Sequence, residues 1–136
     1  MKENLEKILS FLENTHAFYY ATCTNNLPRV RPFGSVMEYE DRLYIGMGDY
    51  KESYRQTKEN PNIEICSCTD GGKWIRIRGK AVEDRRAEVM NRVFELEPHL
   101  HSIYNEQNER RMANFWIDEG YCEITDLSDN FESFNF

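Results

Sequence analysis

The 136-residue sequence contains no apolar run long enough to cross a membrane. Its first residues, Met1-Lys2-Glu3-Asn4, are polar and charged where a signal peptide needs an apolar stretch, so a cytoplasmic protein is expected. Basic residues are in the minority, 17 against 24 acidic ones, giving a formal net charge of -7. A nucleic-acid backbone calls for the opposite balance, so neither nucleic acid nor membrane is expected as a partner. A small anion is not excluded, because a local pocket can oppose the overall sign. Cysteines are few: Cys23, Cys66, Cys68 and Cys122. A chain of this length can build a core without cross-links. Cys66 and Cys68 lie two apart on one expected strand and are poorly placed to bridge, so all four read as reduced thiols.

Side-chain catalytic signatures are missing as well. The three histidines are His16, His99 and His101, and no third ligand accompanies the last two. Cys66 and Cys68 have no second pair at zinc spacing, so no metal site is expected. There is no nucleophile elbow, Walker loop or dinucleotide fingerprint, and Gly46-Met47-Gly48 is a glycine-rich loop only superficially. Any chemistry is expected to come from a bound cofactor rather than from side chains.

What is present is a globular pattern, with 40% hydrophobic and 13% aromatic residues. Leu5, Ile8, Leu9 and Leu12 predict an amphipathic helix over 3–14. Strands are expected over 17–24, over 29–40 with a bend near Pro32 and Gly34, and over 43–47. A helix opens after Gly48, with Asp49 as its N-cap, and ends before Pro61. Strands over 63–69 and 73–82 flank the turn Asp70-Gly71-Gly72, and Asp84 caps a helix ending near Leu96. Residues 99–108 are polar and show no period. A final strand pair is expected around Glu119-Gly120, with Phe131, Phe134 and Phe136 packing the tail back onto the body. No repeat or linker appears, so residues 1–136 read as one domain. The sum is a mainly β (α+β) fold: about six antiparallel strands in a barrel, with three helices at its edges.

Two constellations stand out. Arg29 and Arg31 alternate on one strand face, and Pro32 removes a backbone donor beside them. Lys51 follows in the first turn of the next helix, where free N–H groups and a partial positive charge also favour an anion. Together Arg31 and Lys51 would clamp a phosphate; the bland alternative is two solvated cations. Trp74 shares a strand face with Arg76 and Arg78, opposite Ile75 and Ile77. That placement points to a subunit interface or a flat ligand, with a lone exposed aromatic as the alternative.

The segments PRVRPFG, MEYEDRLYIGMG, DYKESYRQTKENP and WIRIRGKAV occur in an order and spacing that resemble a known family. It is the pyridoxamine 5'-phosphate oxidase-like FMN-binding split barrels, and the branch is similar to nitroimidazole-resistance (NimA/NimC-like) proteins. The resemblance spans about residues 5–127. It implies a six-stranded split barrel that dimerises with FMN at the subunit interface. Arg31 and Lys51 match the phosphate ligands. Pro32, Phe33 and Gly34 match backbone beside the isoalloxazine, as do Met47 and Gly48. Trp74 matches a position that reaches the cofactor. Asp49-Tyr50 stands where relatives often carry Asn-Thr. The Tyr50 hydroxyl or backbone N–H groups are expected to replace the threonine, and Asp49 would repel phosphate if it faced the site. Residues that hold pyridoxal phosphate are not recognisable, so vitamin B6 oxidation is not expected. The implied function is FMN-dependent electron or hydride transfer to a small organic acceptor, with a nitro compound or quinone as the guess. Tyr50 and Arg76 are the nearest polar candidates for proton transfer. The alternatives are a flavin or haem carrier without catalysis, to which His99 and His101 would contribute, and a structural dimer without cofactor.

Overall fold

The structure is a computed structural model and describes residues 2–136. The elements are α1 (Lys2–Glu13), β1 (Phe18–Thr24), β2 (Leu27–Phe33), β3 (Val36–Tyr39), β4 (Arg42–Gly48), α2 (Glu52–Glu59), β5 (Asn62–Cys68), β6 (Trp74–Glu83), α3 (Ala87–Leu96), β7 (Met112–Thr125) and β8 (Phe131–Asn135). A 3₁₀ turn, Pro98–Ser102, follows α3. All strand pairs are antiparallel, in the order β2-β1-β5-β6-β7-β4-β3, with β8 on β7. The fold class is the expected one, but the sheet is not closed and has eight strands among the described residues.

The extra strands have physical causes. The expected strand over 29–40 is two: β2 pairs with β1 and β3 pairs with β4, at opposite ends of the sheet order. The break falls at Gly34-Ser35 and not at Pro32, which stays in register opposite Tyr19. β2 is an edge strand, so a missing N–H on its outer side costs no ladder bond. The expected strand pair around Glu119-Gly120 is instead one continuous strand, β7. Its first half pairs with β4 and its second half with β8, while β6 runs along the other side. The turn signal marks the change of partner. Glu119 has φ +52°, and β6 shifts register opposite it, between Arg78 and Lys80. The tail does pack back, as a strand.

Ile8, Tyr20, Leu43, Ile45, Ile65, Ile75, Ile77 and Phe115 are among the fully buried side chains of the main core, which α1 covers from one side. A second cluster, Met37, Tyr44, Val89, Val93, Leu100 and Met112, holds α3 and the 3₁₀ turn against β3, β4 and β7. That cluster places residues 97–104 beside the ends of β2 and β4. Among the described residues no helix is long and apolar enough to cross a membrane.

Candidate functional site

A cleft of about 890 Å³ opens where β2 leaves the sheet. Its walls are the end of β2 with the connection to β3 (Arg31 to Ser35), the end of β4 (Gly46 to Gly48), the start of α2 (Lys51 to Ser53) and the segment after α3 (Glu97, His99, Leu100, Tyr104), with Met112 between. The chain thus brings seven of the expected residues to one place: Arg31, Pro32, Phe33, Gly34, Met47, Gly48 and Lys51. A groove of similar size, about 950 Å³, runs between α1, the β5–β6 turn and β8. There Lys7 is already paired with Glu132 at 2.6 Å.

The cationic end of the cleft is built on a polar layer. The underside of α2 is formed by Ser53, Gln56 and Thr57, all buried. Thr57 Oγ1 meets the Tyr20 hydroxyl at 2.7 Å, and Thr22 Oγ1 donates to Gln56 Oε1 at 2.8 Å. Arg31 donates to Thr22 Oγ1 at 3.0 Å, to Tyr20 O at 3.4 Å and to Gln56 Oε1. Every one of these acceptors is neutral, and among the described residues no carboxylate lies within ion-pairing distance of Arg31. Burial pulls the Arg31 pKa below its ordinary value, while Tyr20 and Glu52 nearby oppose that fall. Burial also pushes the Tyr20 hydroxyl up to about 12. A half-buried cation without a counter-ion is an unfavourable arrangement unless an anion completes it.

Lys51 is the N-cap of α2, in extended conformation and with no side-chain cap bond. The expected cap, Asp49, is elsewhere. Its carboxylate accepts from Arg111 Nε at 3.1 Å, and its N–H donates to Arg111 O at 2.9 Å. The feared repulsion is therefore answered by Arg111, which Glu83 also binds at 3.3 Å. Glu52 does reach the cleft but pairs with Arg55 at 3.1 Å. The start of α2 thus offers unpaired N–H groups beside two cations.

The rest of the cleft suits a flat ligand. Phe33 is held by stacking on Tyr20, with centroids 4.6 Å apart and planes 10° apart. Met47, Leu100 and Met112 add apolar surface. A Cβ added at Gly34 would meet nothing within 4 Å, so the glycine leaves its wall open. At Gly46 a Cβ would lie 1.9 Å from Met112 Cε, so any larger residue there requires the Met112 side chain to move. The arrangement can hold a planar group along the strand ends and an anionic group at Arg31 and Lys51, which is what FMN requires.

Two expected contacts are not made within one chain. Tyr50 is exposed and turned outward, with the Arg110 guanidinium 4.7 Å from its ring centroid. Its ring covers Gly48 from outside the cleft, because Lys51 and not Asp49 begins the helix. Trp74 pairs with Thr125, at the far end of β7 from Met112. Arg76 is also remote from the cleft; it binds Glu64 at 2.8 Å on the open sheet face. Conversely, Ser35, Glu97, His99 and Tyr104 were not expected together. Ser35 Oγ donates to Glu97 Oε2 at 2.8 Å and fastens the β2–β3 connection to the end of α3. His101 stacks on Phe94 at 3.7 Å and does not line the cleft.

No family model and no curated protein matches the sequence. Solved structures do. A NimC/NimA family protein from Clostridium acetobutylicum superposes with a TM-score of 0.91 at 34% identity, over 98% of this chain and 93% of that one. A heme binding protein from Mycobacterium smegmatis gives 0.70 at 12% identity, over 92% of this chain and 55% of that one. A pyridoxamine 5'-phosphate oxidase-related, FMN binding protein from Nostoc punctiforme gives 0.56 at 12% identity, over 98% and 95%. The last two likenesses concern the fold alone. With a third of its residues identical to the Clostridium protein across nearly the whole length of both, the chain belongs to the NimC/NimA family and has the split-barrel fold of pyridoxamine 5'-phosphate oxidase-like proteins.

Proposed function

We propose that the cleft binds FMN and that the protein is an FMN-dependent oxidoreductase passing electrons or hydride to a small organic acceptor, a nitro compound or a quinone. The observation that carries this reading is Arg31, a half-buried guanidinium with only neutral partners, beside Lys51 at the uncapped start of α2. Arg31 and Lys51 would take the phosphate. The backbone of Pro32–Gly34 and Met47–Gly48 would flank the ring, and Phe33, Leu100 and Met112 would exclude water from it. When bound, FMN supplies the redox chemistry; the chain supplies position and a dry wall. The Nostoc FMN-binding protein shares the fold, which supports the same class of ligand.

A homodimer with the cofactor between subunits fits the distribution of exposed apolar groups. Tyr19, Val30 and Trp74 lie on one open sheet face, with Tyr19 49% and Val30 68% exposed. A second copy covering this face would bury Trp74 at the subunit interface. Haem is the second reading, favoured by one observation: His99 lines the same cleft. Adding FMN or haemin to the purified protein separates the two. A protein-bound flavin spectrum, bleached by reduced nicotinamide and restored by a nitro compound or quinone, is expected. A Soret band with no flavin uptake would replace the FMN reading by the haem one, and uptake of neither would sink both.

A further inference from the structure

A guanidinium has five N–H donors. Arg31 gives three of them to the protein: two from Nη1, to Tyr20 O and Thr22 Oγ1, and one from Nη2, to Gln56 Oε1. The two that remain are Nε–H and the second Nη2–H, which lie along one edge of the planar fork. That edge matches two oxygens of a phosphate or carboxylate.

The residues that occupy the other donors are unusual in being both rigid and uncharged. Thr22 is 3% and Gln56 5% exposed, and they belong to different elements, β1 and α2. Thr22 Oγ1 donates to Gln56 Oε1, so Thr22 holds the amide oxygen toward Arg31. Both the hydroxyl and the guanidinium donate to that atom, which fixes the orientation of the amide. A carboxylate in place of Gln56 would hold the guanidinium equally well but would also neutralise it.

We propose that Thr22 and Gln56 are positioning residues for Arg31: they fix its rotation so that the Nε–Nη2 edge faces the cleft, and they stay neutral so that its charge is kept for a phosphate monoester. This rests on reading the cleft as an FMN site, and adds which edge of Arg31 is used and what holds it.

The experiment compares FMN with riboflavin, which lacks the phosphate, by quenching of flavin fluorescence. Wild type, Thr22→Val, Gln56→Met and Gln56→Glu are each measured with and without Arg31→Ala. All three substitutions nearly preserve volume. Each is expected to weaken FMN about tenfold and to leave riboflavin unchanged. On the Arg31→Ala background Thr22→Val and Gln56→Met should cost nothing further, because they act through that residue; Gln56→Glu still loses there, because its carboxylate then repels the phosphate directly. Equal losses for FMN and riboflavin, or losses for Thr22→Val or Gln56→Met that persist with Arg31→Ala, would overturn the proposal and leave Thr22 and Gln56 as packing residues. A second readout needs no flavin: the Arg31 Nε–H resonance, followed by NMR while inorganic phosphate is added. It should shift in wild type and stay fixed in Gln56→Glu. If wild type takes up neither flavin, the FMN reading fails alone and the phosphate titration decides the positioning role, an unmoved wild-type resonance refuting it.

Discussion

Replacing Arg31 by alanine should separate ligand binding from stability. The side chain makes three hydrogen bonds, so a simple tally would forecast a damaged fold. None of its acceptors depends on it, however. Gln56 Oε1 keeps the Thr22 hydroxyl as a donor, Thr22 keeps Gln56 as an acceptor, and Tyr20 O lies in a paired strand. Burial disfavours the Arg31 charge, so truncation removes an unfavourable desolvation together with the bonds. Hydrogen bonds whose partners stay satisfied are worth about 1 kcal/mol net, so the unfolding free energy should change by no more than about 1 kcal/mol. That is a shift of about 4 °C in Tm for a chain of this size. FMN affinity should behave differently. Two charge-assisted bonds to a phosphate at a half-buried site are worth about 2 kcal/mol, or about 30-fold in Kd. Arg31→Lys should recover only part of this, since an ammonium is a point charge without the fork. Thermal melts together with flavin quenching test the pair of claims. A fall in Tm of about 10 °C, or an equal loss of riboflavin affinity, would refute the reasoning.

Other consequences follow from the same contacts. Arg86 and Tyr44 hold the Asp84 carboxylate down to about 2, below its ordinary value of 3.8. A lowered folded pKa contributes stability that is complete above the unfolded value and lost as pH falls toward about 2. Asp84→Asn should therefore lower the urea midpoint at neutral pH, and its difference from wild type should fade in acid; a constant difference down to about pH 2 would contradict this. Ile77→Ala, at a fully buried site, should cost about 3 kcal/mol and lower Tm by about 10 °C, checked by calorimetry. Burial pushes the Cys122 thiol up to about 12, so it should resist thiol reagents near pH 8 until the chain is unfolded; labelling of native protein at Cys122, read by peptide mass, would contradict that.

The cationic end of the cleft was legible because its signals are local. Arg31 sits in a prolyl edge strand, and Lys51 sits one residue before a helix, so sequence neighbours define both. The neutrality of their surroundings was not legible. Asp49 looked like a repulsive neighbour of the phosphate, and the residue that removes the difficulty, Arg111, lies 62 positions away. The polar underside of α2 was hidden for a related reason: nothing in the sequence marks Ser53, Gln56 and Thr57 as buried, and only Tyr20 and Thr22 placed beneath them make them so. The 3₁₀ turn carried no periodic signal at all. It reaches the cleft only because Leu100 joins the cluster around Val89 and Val93. Glu119-Gly120 carried a real signal with two readings, a turn between two strands or a kink within one, and only the pairing of β7 with both β4 and β8 decides between them. Trp74 was correctly read as facing away from the core, yet that face lies apart from the cleft within one chain.

The most direct test of the site is the ³¹P resonance of FMN bound to the protein, followed as a function of pH. A free phosphate monoester takes up its second proton near pH 6. Held between Arg31 and Lys51, the phosphate should remain a dianion, and its resonance should stay flat from about pH 8 to about pH 5. A bound resonance that titrates as free FMN does, or the absence of any bound resonance, would contradict the assignment of Arg31 and Lys51 as the phosphate clamp.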